Sequence, residues 1–578
     1  MVITFNELEY VRPNEKVVLE GIEAEIQDLQ KASCWEEAKA VFERFHEKME
    51  AFHSMCQIAD IRFTQDVRDP FYQNENEYLG MLAPKVEEAA HKFYEALLNC
   101  PYEVQINQTY GPMLLKKLRY QAAGGGEAVT ALRQEENRLV ARFQAISGTS
   151  RIPFMGKVIP SEQLYFYKGD KNRTVRREAY QAEGAYFEQY SDQLEEIFDA
   201  LVKNRNAQAR ALGFQDYSQL SLIFMNRMGY GLEEIAHYRE QVKKYWVPAV
   251  NEIKKMQQKR LGLSDWKGYD NLLYFPDYNP TPKGDSNAMK NACREMFKGL
   301  SDETGEFFDF LMERDMFDLD SREGKAPGGY CGSVDSMKSP FIFSNFNGTT
   351  MDVDVLIHES GHAFAAYEAY KNKIVAECRE ASAEVCETHS TAMEMLTMPY
   401  HKLFFKEDVD RYDLFLIERT LTYLPGGCSG DEFLTIVYQN PDMTSAERHA
   451  LWKRLRQEYE PHFSDFDDIP LYSQGKEWLI EPQLFLCPFY LVDYGLARNV
   501  SLQLFMMQQT NPEMAWEKYL KFLSFGGTKT YMEAVREIGL EIPFEGEAIR
   551  HVIEPMLEWV KRQNEKVGKQ GVCDNVEN

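Results

Sequence analysis

Long amphipathic helices dominate the pattern of apolar and polar positions along this chain. Apolar residues recur at spacings of three and four with charged residues between them, which is the period of a helix with one buried face. The predicted helices cover residues 18–31, 35–60, 76–99, 105 onward, 127–146, 174–212, 232–261, a segment ending near 311, and 382–397. The C-terminal part has the same pattern, so we expect a mostly α-helical protein.

Four stretches interrupt this pattern. Three glycines at 124–126 predict a loop, and the two prolines in 151–160 predict irregular chain or short strands. Residues 277–285 predict a loop, and residues 424–430, with one proline and three glycines, predict a helix break. We take the stretch 151–160 as the joint between two lobes. They are an N-terminal helical lobe, 1–170, and a catalytic lobe, 171–578.

One region has β character. A glycine-rich run that includes Gly328, Gly329 and Tyr330 precedes an aromatic, β-prone run, which predicts a small hairpin or sheet near residues 326–347. The glycines also fit a plain surface turn. Beside a reactive centre, an open strand edge could hold an extended peptide through main-chain hydrogen bonds.

Size and composition narrow the class of protein. A chain of 578 residues with 44% hydrophobic residues is long enough for two or more lobes. A formal net charge of -26 argues against nucleic-acid binding. No run approaches 18 apolar residues, and the first residues resemble no signal peptide, so we expect no membrane segment and a cytoplasmic location. The ten cysteines include no Cys-x-x-Cys pair, so we expect reduced thiols.

The strongest chemical signal is a His-Glu-x-x-His motif in the apolar helical run 352–367. His358 and His362 stand one turn apart on one face, with Glu359 beside them. Two neutral imidazoles at this spacing can both reach one Zn²⁺ at about 2.0–2.1 Å, and a catalytic zinc keeps one position for water. Glu359 is then the expected general base. A helix that carries two histidines by chance is the alternative.

The third ligand is expected from the acidic helix 382–397. Glu384, Glu387 and Glu394 lie near one face of it. Most acidic residues on a helix are merely solvated, but two neutral histidines need a carboxylate, which favours Glu384 or Glu387.

Two tyrosines are candidate oxyanion donors. Tyr490 and Tyr494 are spaced to share a helix face, and their phenols could donate to a developing negative charge. With 32 tyrosines in the chain, packing in the core with a satisfied hydroxyl is the more common use of any single one.

A second metal chemistry also fits part of the sequence. Glu-x-x-His units end at His46, His91 and His362, and such units bind two irons in carboxylate-bridged helical bundles. That interpretation leaves His358 without a role.

Three ordered motifs resemble the M3 family of zinc oligopeptidases, in particular its bacterial oligoendopeptidase F and Pz-peptidase branch. They are the run 339–349, the helix with His358-Glu359-Ser360-Gly361-His362, and the run 387–394. The resemblance covers about residues 174–525. It implies a mostly helical, two-lobed zincin-type fold with a deep channel, one zinc ion per chain and short peptides as substrates. It implies no particular oligomeric state.

Carried onto this sequence, the resemblance implies His358, His362 and Glu387 as ligands and Glu359 as base, with Glu384 second to Glu387. The loop with Gly328, Gly329 and Tyr330 corresponds to the family's glycine-rich loop over the bound peptide.

One departure from the family pattern concerns catalysis. Gln483 stands where relatives have a histidine thought to hold the tetrahedral intermediate, and Leu491 replaces a tyrosine of many relatives. We expect a zinc-dependent metalloendopeptidase with Gln483 at best a weaker donor. The alternative is a peptide-binding relative that keeps its zinc and cleaves weakly.

Overall fold

The computed structural model describes residues 3–148, 150–326 and 328–574, and the chain is mostly helical, as predicted, with two small sheets. It divides into two compact units of three segments each. Unit 1 comprises Met1–Ala123, Thr281–Lys406 and Met507–Ile538, and unit 2 comprises Gly124–Pro280, Glu407–Met506 and Gly539–Asn578. None of these limits falls at residue 170, and the lobe boundary expected there stays a prediction.

The first segment of unit 1 is helical. Its helices are α1 (Glu15–Lys31), α2 (Trp35–Gln65), α3 (Pro70–Leu98), α4 (Glu103–Tyr110) and α5 (Met113–Ala122). The helix predicted from residue 105 onward is therefore two helices. Gly111 separates them because its φ of +86° lies in the left-handed region that favours glycine.

The first segment of unit 2 contains seven helices and a hairpin. They are α6 (Glu127–Ser147), β1 (Ile152–Phe154), β2 (Lys157–Ile159), α7 (Ser161–Lys168), α8 (Arg173–Glu188), α9 (Ser191–Ala211), α10 (Tyr217–Phe224), α11 (Leu232–Gln241) and α12 (Val247–Arg260). The antiparallel strands β1 and β2 confirm the short-strand prediction for this stretch.

Two predicted helices of this segment are each broken. The helix predicted over 174–212 is α8 and α9, because the Ser191 hydroxyl donates to the carbonyl of Glu188 (3.0 Å) and ends α8. The helix predicted over 232–261 is interrupted by a π-helical turn, Val242–Trp246. Pro248 follows it at the start of α12, and the wider turn accommodates a residue that has no N–H to donate.

The central segment of unit 1 holds the second sheet and the predicted metal helix. Its elements are α13 (Ser286–Leu300), α14 (Asp302–Glu313), β3 (Phe317–Asp320), β4 (Tyr330–Val334), β5 (Ser339–Phe346), α15 (Met351–Lys371), α16 (Ala383–Leu396) and α17 (Lys402–Phe405). The single helix predicted to reach 311 is α13 and α14, because Ser301 caps α14 by accepting from the N–H of Thr304 (3.2 Å).

The sheet in unit 1 has the strand order β3–β5–β4. Strand β4 pairs antiparallel with β5, from Tyr330 opposite Phe343 to Val334 opposite Ser339, which confirms the predicted sheet. Strand β3 is parallel to β5 and was not predicted. Pro327, inside the predicted glycine-rich run, lies outside the described residues. Because β5 is central, β4 is an edge strand.

The rest of the chain is helical. Its helices are α18 (Val409–Gln439), α19 (Ser445–Tyr459), α20 (Pro482–Leu486), α21 (Leu491–Gln508), α22 (Pro512–Ser524), α23 (Tyr531–Glu537) and α24 (Ala548–Asp574). Short 3₁₀ turns occur at Phe5–Glu7, Gly268–Asp270, Asp335–Met337, Ala376–Cys378, Met398–Tyr400, Lys406–Asp408, Pro461–Phe463 and Glu477–Ile480.

The predicted break at 424–430 is wrong, because α18 runs through it with Pro425 inside the helix. Its glycines serve close packing instead. A Cβ on Gly427 would lie 2.6 Å from the carbonyl oxygen of Leu491, and one on Gly430 would lie 2.7 Å from a methyl carbon of the same residue. Tertiary packing therefore overrides the local preference for a break.

Two expectations about the whole chain concern membranes and thiols. Over the described ranges, no helix combines the length and apolar content needed to span a bilayer. The nine cysteines whose side chains are described are all free thiols, as predicted.

Candidate active site

Helix α15 carries the His-Glu-x-x-His motif, and its first turn is fixed by the loop before it. The Asp352 carboxylate accepts hydrogen bonds from the N–H groups of Asn347 (2.9 Å) and Gly348 (2.7 Å). An acidic side chain in the first turn is also favoured by the helix dipole. The rings of His358 and His362 then lie on one face, with centroids 4.9 Å apart.

Gly361 lets α16 approach α15 closely. A Cβ at this position would lie 2.6 Å from Cα of Ser390 and 2.8 Å from the carbonyl oxygen of His389, both backbone atoms of α16. Carbon atoms in contact are normally about 3.5–4.0 Å apart. Tyr519 of α22 donates to that same carbonyl oxygen of His389 (3.0 Å). Only glycine at 361 permits this spacing of the two helices.

The close packing brings Glu387 of α16 to the two histidines. Its Oε2 lies 3.3 Å from Nε2 of His358 and 3.8 Å from Nε2 of His362. Donors at 2.0–2.2 Å around a tetrahedral zinc are about 3.3–3.6 Å from one another. Two imidazoles and a carboxylate at these separations fit one small cation. Within the described ranges, no other three His, Cys, Asp or Glu side chains converge in this way.

Glu394 sets the tautomer of His358. Its Oε1 lies 2.6 Å from Nδ1 of His358, and its side chain is buried. A carboxylate accepts the Nδ1 proton, which leaves the Nε2 lone pair directed at the cation position. The contact of Glu394 with His358 was not predicted from the sequence, in which Glu394 was only a lesser candidate for the third ligand. Its spacing of seven from Glu387, two turns along the same helix face, was the available signal.

Glu384 occupies a different position on α16. It is fully buried in the first turn, and its Oε1 accepts a hydrogen bond from the Ser382 hydroxyl (2.8 Å). It does not belong to the group of donor atoms formed by His358, His362 and Glu387.

Burial and mutual charge shift the pKa values at this site. Burial raises the pKa of Glu359 to about 7, and the charges of Glu387 and Glu394 add to the rise against the attraction of His358. Burial lowers the pKa of His362 to about 4. Burial also opposes charge on His358, but hydrogen bonds to Glu387 and Glu394 raise its pKa well above the ordinary value. A carboxyl poised near neutrality is suited to general base catalysis.

The predicted peptide loop lies directly on α15. Gly328 has a φ of +93°, and a Cβ on Gly329 would lie 2.8 Å from a methyl carbon of Val355. Tyr330 stacks on Phe343 with ring centroids 4.8 Å apart. The next residue, Cys331, has its thiol pKa raised by burial and by the charge of Glu359. Edge strand β4 therefore lies against α15, the helix that carries Glu359.

Tyr490, Tyr494 and Gln483 lie in unit 2. Helix α21 begins at Leu491, so Tyr490 directly precedes the helix rather than lying on its face as expected. The two tyrosine rings are nevertheless in contact, with centroids 5.2 Å apart. Gln483 is half-buried near the start of α20.

The turn before Tyr490 is held by a buried ion pair. Phe489 has a φ of +73°, an uncommon conformation for a bulky residue. Arg227 donates to the carbonyl of Phe489 (2.7 Å) and to the carboxylate of Asp493 (2.7 Å), and both charged side chains are fully buried.

The di-iron interpretation receives no support from its other two histidines. Nε2 of His46 lies 2.8 Å from Oε1 of Glu377, and His91 lies 3.4 Å from Glu95, one helical turn away. Each contacts a single carboxylate rather than a ring of them.

Comparison with known proteins identifies the family. The model described as "Peptidase family M3" matches residues 166–553, and the "Peptidase M3 N-terminal domain" matches residues 5–123. The chain belongs to peptidase family M3. The N-terminal match ends at residue 123, which is also the last residue of the first segment of unit 1.

Several relatives and solved structures are similar along much of the chain. A structure titled "Pz peptidase A with inhibitor 2" is 34% identical, covers 97% of this chain and 100% of its own, and has a TM-score of 0.92. Oligopeptidase PepF of Bacillus subtilis is 22% identical over 86% of this chain and 76% of its own length. Group B oligopeptidase PepB of Streptococcus agalactiae is 23% identical over 64% of this chain, and the match spans 61% of PepB.

Proposed function

We propose that this protein is a zinc-dependent endopeptidase that hydrolyses internal bonds of short peptides. The observation that carries the proposal is the group of three donor atoms on α15 and α16, all within 4.8 Å of one another, beside a buried Glu359. Membership of peptidase family M3 and similarity to proteins named as oligopeptidases support the reaction class.

His358, His362 and Glu387 would hold the zinc ion. A bound zinc supplies Lewis-acid chemistry, because it lowers the pKa of a water molecule towards roughly 7 and polarises a carbonyl. Glu394 keeps His358 in the tautomer that offers Nε2, and the Ser390 hydroxyl donates to Oε2 of Glu387 (3.1 Å). These contacts fix the ligands before substrate arrives.

Glu359 is the proposed proton carrier. Its carboxylate takes a proton from the attacking water at its oxygen and delivers that proton to the nitrogen of the leaving amine, so that the peptide bond breaks with no net change in Glu359. Burial, which raises the pKa of Glu359, favours the protonated carboxyl from which the proton is delivered.

The peptide is proposed to bind along edge strand β4 and the loop of Gly328, Gly329 and Tyr330. An edge strand has main-chain donors and acceptors to offer an extended backbone. Tyr490 or Tyr494 is proposed to donate to the oxyanion, with Gln483 as a weaker neutral donor. The restriction to short peptides follows from the deep channel that the family resemblance implies.

The test is the substitution Glu359→Gln with zinc reloaded. We expect peptide cleavage to fall by about 10²–10⁴-fold, because the amide cannot accept the proton, while zinc content stays at one ion per chain. Glu368→Gln is the matched control, since it makes the same change on the same helix away from the ligands, and it should cleave at the wild-type rate. A chelator should stop cleavage by the wild-type protein.

Near-normal turnover by Glu359→Gln would reject this base. The alternative suggested by Gln483 is a zinc-binding protein that binds peptides and cleaves them weakly. Mass-spectrometric mapping of a mixed peptide library separates the two, because an endopeptidase converts most of the library into internal fragments unless a chelator is present, whereas the alternative leaves most peptides intact.

A further inference from the structure

Helix α2 carries a polar stripe along one face. His46, Glu50, Ser54, Gln57 and Thr64 follow one another at spacings of four, four, three and seven, which keeps them in line on a helix. From first to last the stripe is about 27 Å long at about 1.5 Å per residue. The apolar residues of α2 pack against α1 and α3. The polar stripe therefore faces elements of unit 1 other than α1 and the apolar side of α3.

One end of the stripe contacts the link between α15 and α16, residues 372–382. His46 Nε2 and the Tyr94 hydroxyl each lie 2.8 Å from Oε1 of Glu377, which is buried. One turn further on, Glu50 accepts a hydrogen bond from Arg379 (2.6 Å). Two consecutive turns of α2 thus hold two alternate residues of the link.

This link determines where α16 begins. Lys117 of α5 donates to the carbonyl of Glu380 (2.7 Å), and the N–H of Gly527 donates to the carbonyl of Cys378 (2.8 Å). Helix α16 starts at Ala383, and Glu387 follows after about one turn. A displacement of the link therefore reaches the carboxylate that faces His358 and His362.

The other end of the stripe contacts β4 and the glycine-rich loop. The Thr64 hydroxyl lies 2.7 Å from that of Tyr330, and its carbonyl accepts from the N–H of Ala326 (2.8 Å). Between the two ends, Ser54 accepts from the N–H of Ser336 at the turn after β4 (2.8 Å). These contacts fix the strand proposed to receive the peptide.

We propose that α2 is a positioning strut with two separable tasks: its His46–Glu50 end sets the metal affinity through the link, and its Thr64 end sets peptide affinity through Tyr330. The peptide task rests on the proposed function, whereas the metal task does not. Helix α2 lies within the N-terminal family match and supplies none of the proposed metal ligands, so its role would be to position residues that do.

The metal task is tested on the full-length protein by zinc dissociation constants from competition with a chromophoric chelator. His46→Ala should weaken zinc binding about tenfold, the low end of the range for groups that support ligands. His46→Gln should recover part of that loss, because its amide nitrogen can donate to Glu377. Glu75→Gln is the matched control. Glu75 is a buried carboxylate that accepts from Tyr10 (2.6 Å) and Arg12 but has no contact with the link, and its substitution should leave zinc binding unchanged.

The peptide task is tested by the dissociation constant of a fluorescent peptide in the zinc-loaded Glu359→Gln background, where cleavage does not interfere. Thr64→Val should weaken peptide binding about fivefold, the effect of one hydrogen bond, while zinc affinity stays unchanged. Thr64→Ser should bind peptide as the parent does. His46→Ala should leave peptide binding unchanged once zinc is saturating.

Three results would overturn the proposal that α2 is a positioning strut. Zinc affinity of His46→Ala equal to that of Glu75→Gln removes the metal task, and peptide affinity of Thr64→Val equal to the parent removes the peptide task. Losses of both affinities in proportion to the fall in Tm would mean that α2 only stabilises the fold. A wild-type protein that binds zinc but no peptide would refute the proposed function and the peptide task together, and the zinc measurements would still decide the metal task.

Discussion

Gly361→Ala tests how finely the spacing of α15 and α16 sets the metal site. The added methyl group would lie 2.6 Å from Cα of Ser390 and 2.8 Å from the carbonyl oxygen of His389. These are backbone atoms of a buried helix, so no side-chain rotation relieves the contact. The helices must separate at this point by about 0.9 Å to restore an ordinary carbon–carbon distance of about 3.5 Å.

That separation acts directly on Glu387, the proposed third ligand. Glu387 lies less than one turn from Ser390 and would move outward with it. Metal–ligand distances tolerate about ±0.2 Å, so a displacement of about 0.9 Å removes Glu387 from the coordination distance. We expect zinc affinity to fall by at least about 100-fold. Overpacking costs about 1–3 kcal/mol, and alanine regains about 1 kcal/mol over glycine in a helix, so the free energy of unfolding should fall by only about 0–2 kcal/mol.

The assay combines zinc affinity, measured by chelator competition, with the free energy of unfolding of the metal-free protein. Gly80→Ala is the matched control, because Gly80 lies inside α3 and a Cβ there would meet nothing within 4 Å. It should stabilise the protein by about 0.5–1 kcal/mol and leave zinc binding unchanged. Wild-type zinc affinity in Gly361→Ala would refute the reasoning, since the helices would then have adjusted without moving the ligand.

Three further predictions concern the ligand set, the phenols and a buried lysine. Glu387→Ala should purify with little zinc and Glu384→Ala with about one ion per chain; the reverse pattern would exchange their roles. Tyr→Phe at whichever of Tyr490 and Tyr494 donates to the oxyanion should lower kcat about 100-fold or more with KM nearly unchanged, and wild-type kcat in both single variants and the double would exclude a phenol. Burial lowers the pKa of Lys254 from 10.5 to about 7, so between these values the unfolded chain binds more protons and the free energy of unfolding rises with pH. Lys254→Met should therefore raise Tm more at pH 7 than at pH 10, and an equal rise at both would contradict the lowered pKa.

The sequence was sufficient for the helical class and for the placement of the two histidines on α15, because both are local patterns. The spacing of His358 and His362 places two imidazoles on one helix face wherever that helix packs. The choice between Glu384 and Glu387 was different, since it depends on the approach of a second helix. Gly361 makes that approach possible, and a glycine inside a helical pattern reveals its packing role only when the opposite backbone is known.

The same reason explains the wrong prediction at residues 424–430. Proline and three glycines are strong local breakers, but in α18 the glycines Gly427 and Gly430 lie against Leu491, more than 60 residues away in sequence. The role of His46 was open for a related reason. Its Glu-x-x-His context suggested iron, whereas its partner Glu377 lies in a distant link. Long-range contacts decided each case that local pattern left open.

The division of unit 1 into three separate segments bears on how the protein is made. Helix α16 carries Glu387, and it is held by Tyr519 through the His389 carbonyl and by Gln508 through the carbonyl of Leu396 (2.6 Å). A ribosome that adds about 5–20 residues per second needs about 20–80 s to pass from residue 123 to residue 507. The N-terminal helices are therefore synthesised well before the last segment of their unit, and most of translation lies between the two. All three proposed ligands leave the ribosome before Gln508 and Tyr519, so a nascent chain that ends at residue 506 has every proposed ligand and lacks these two restraints.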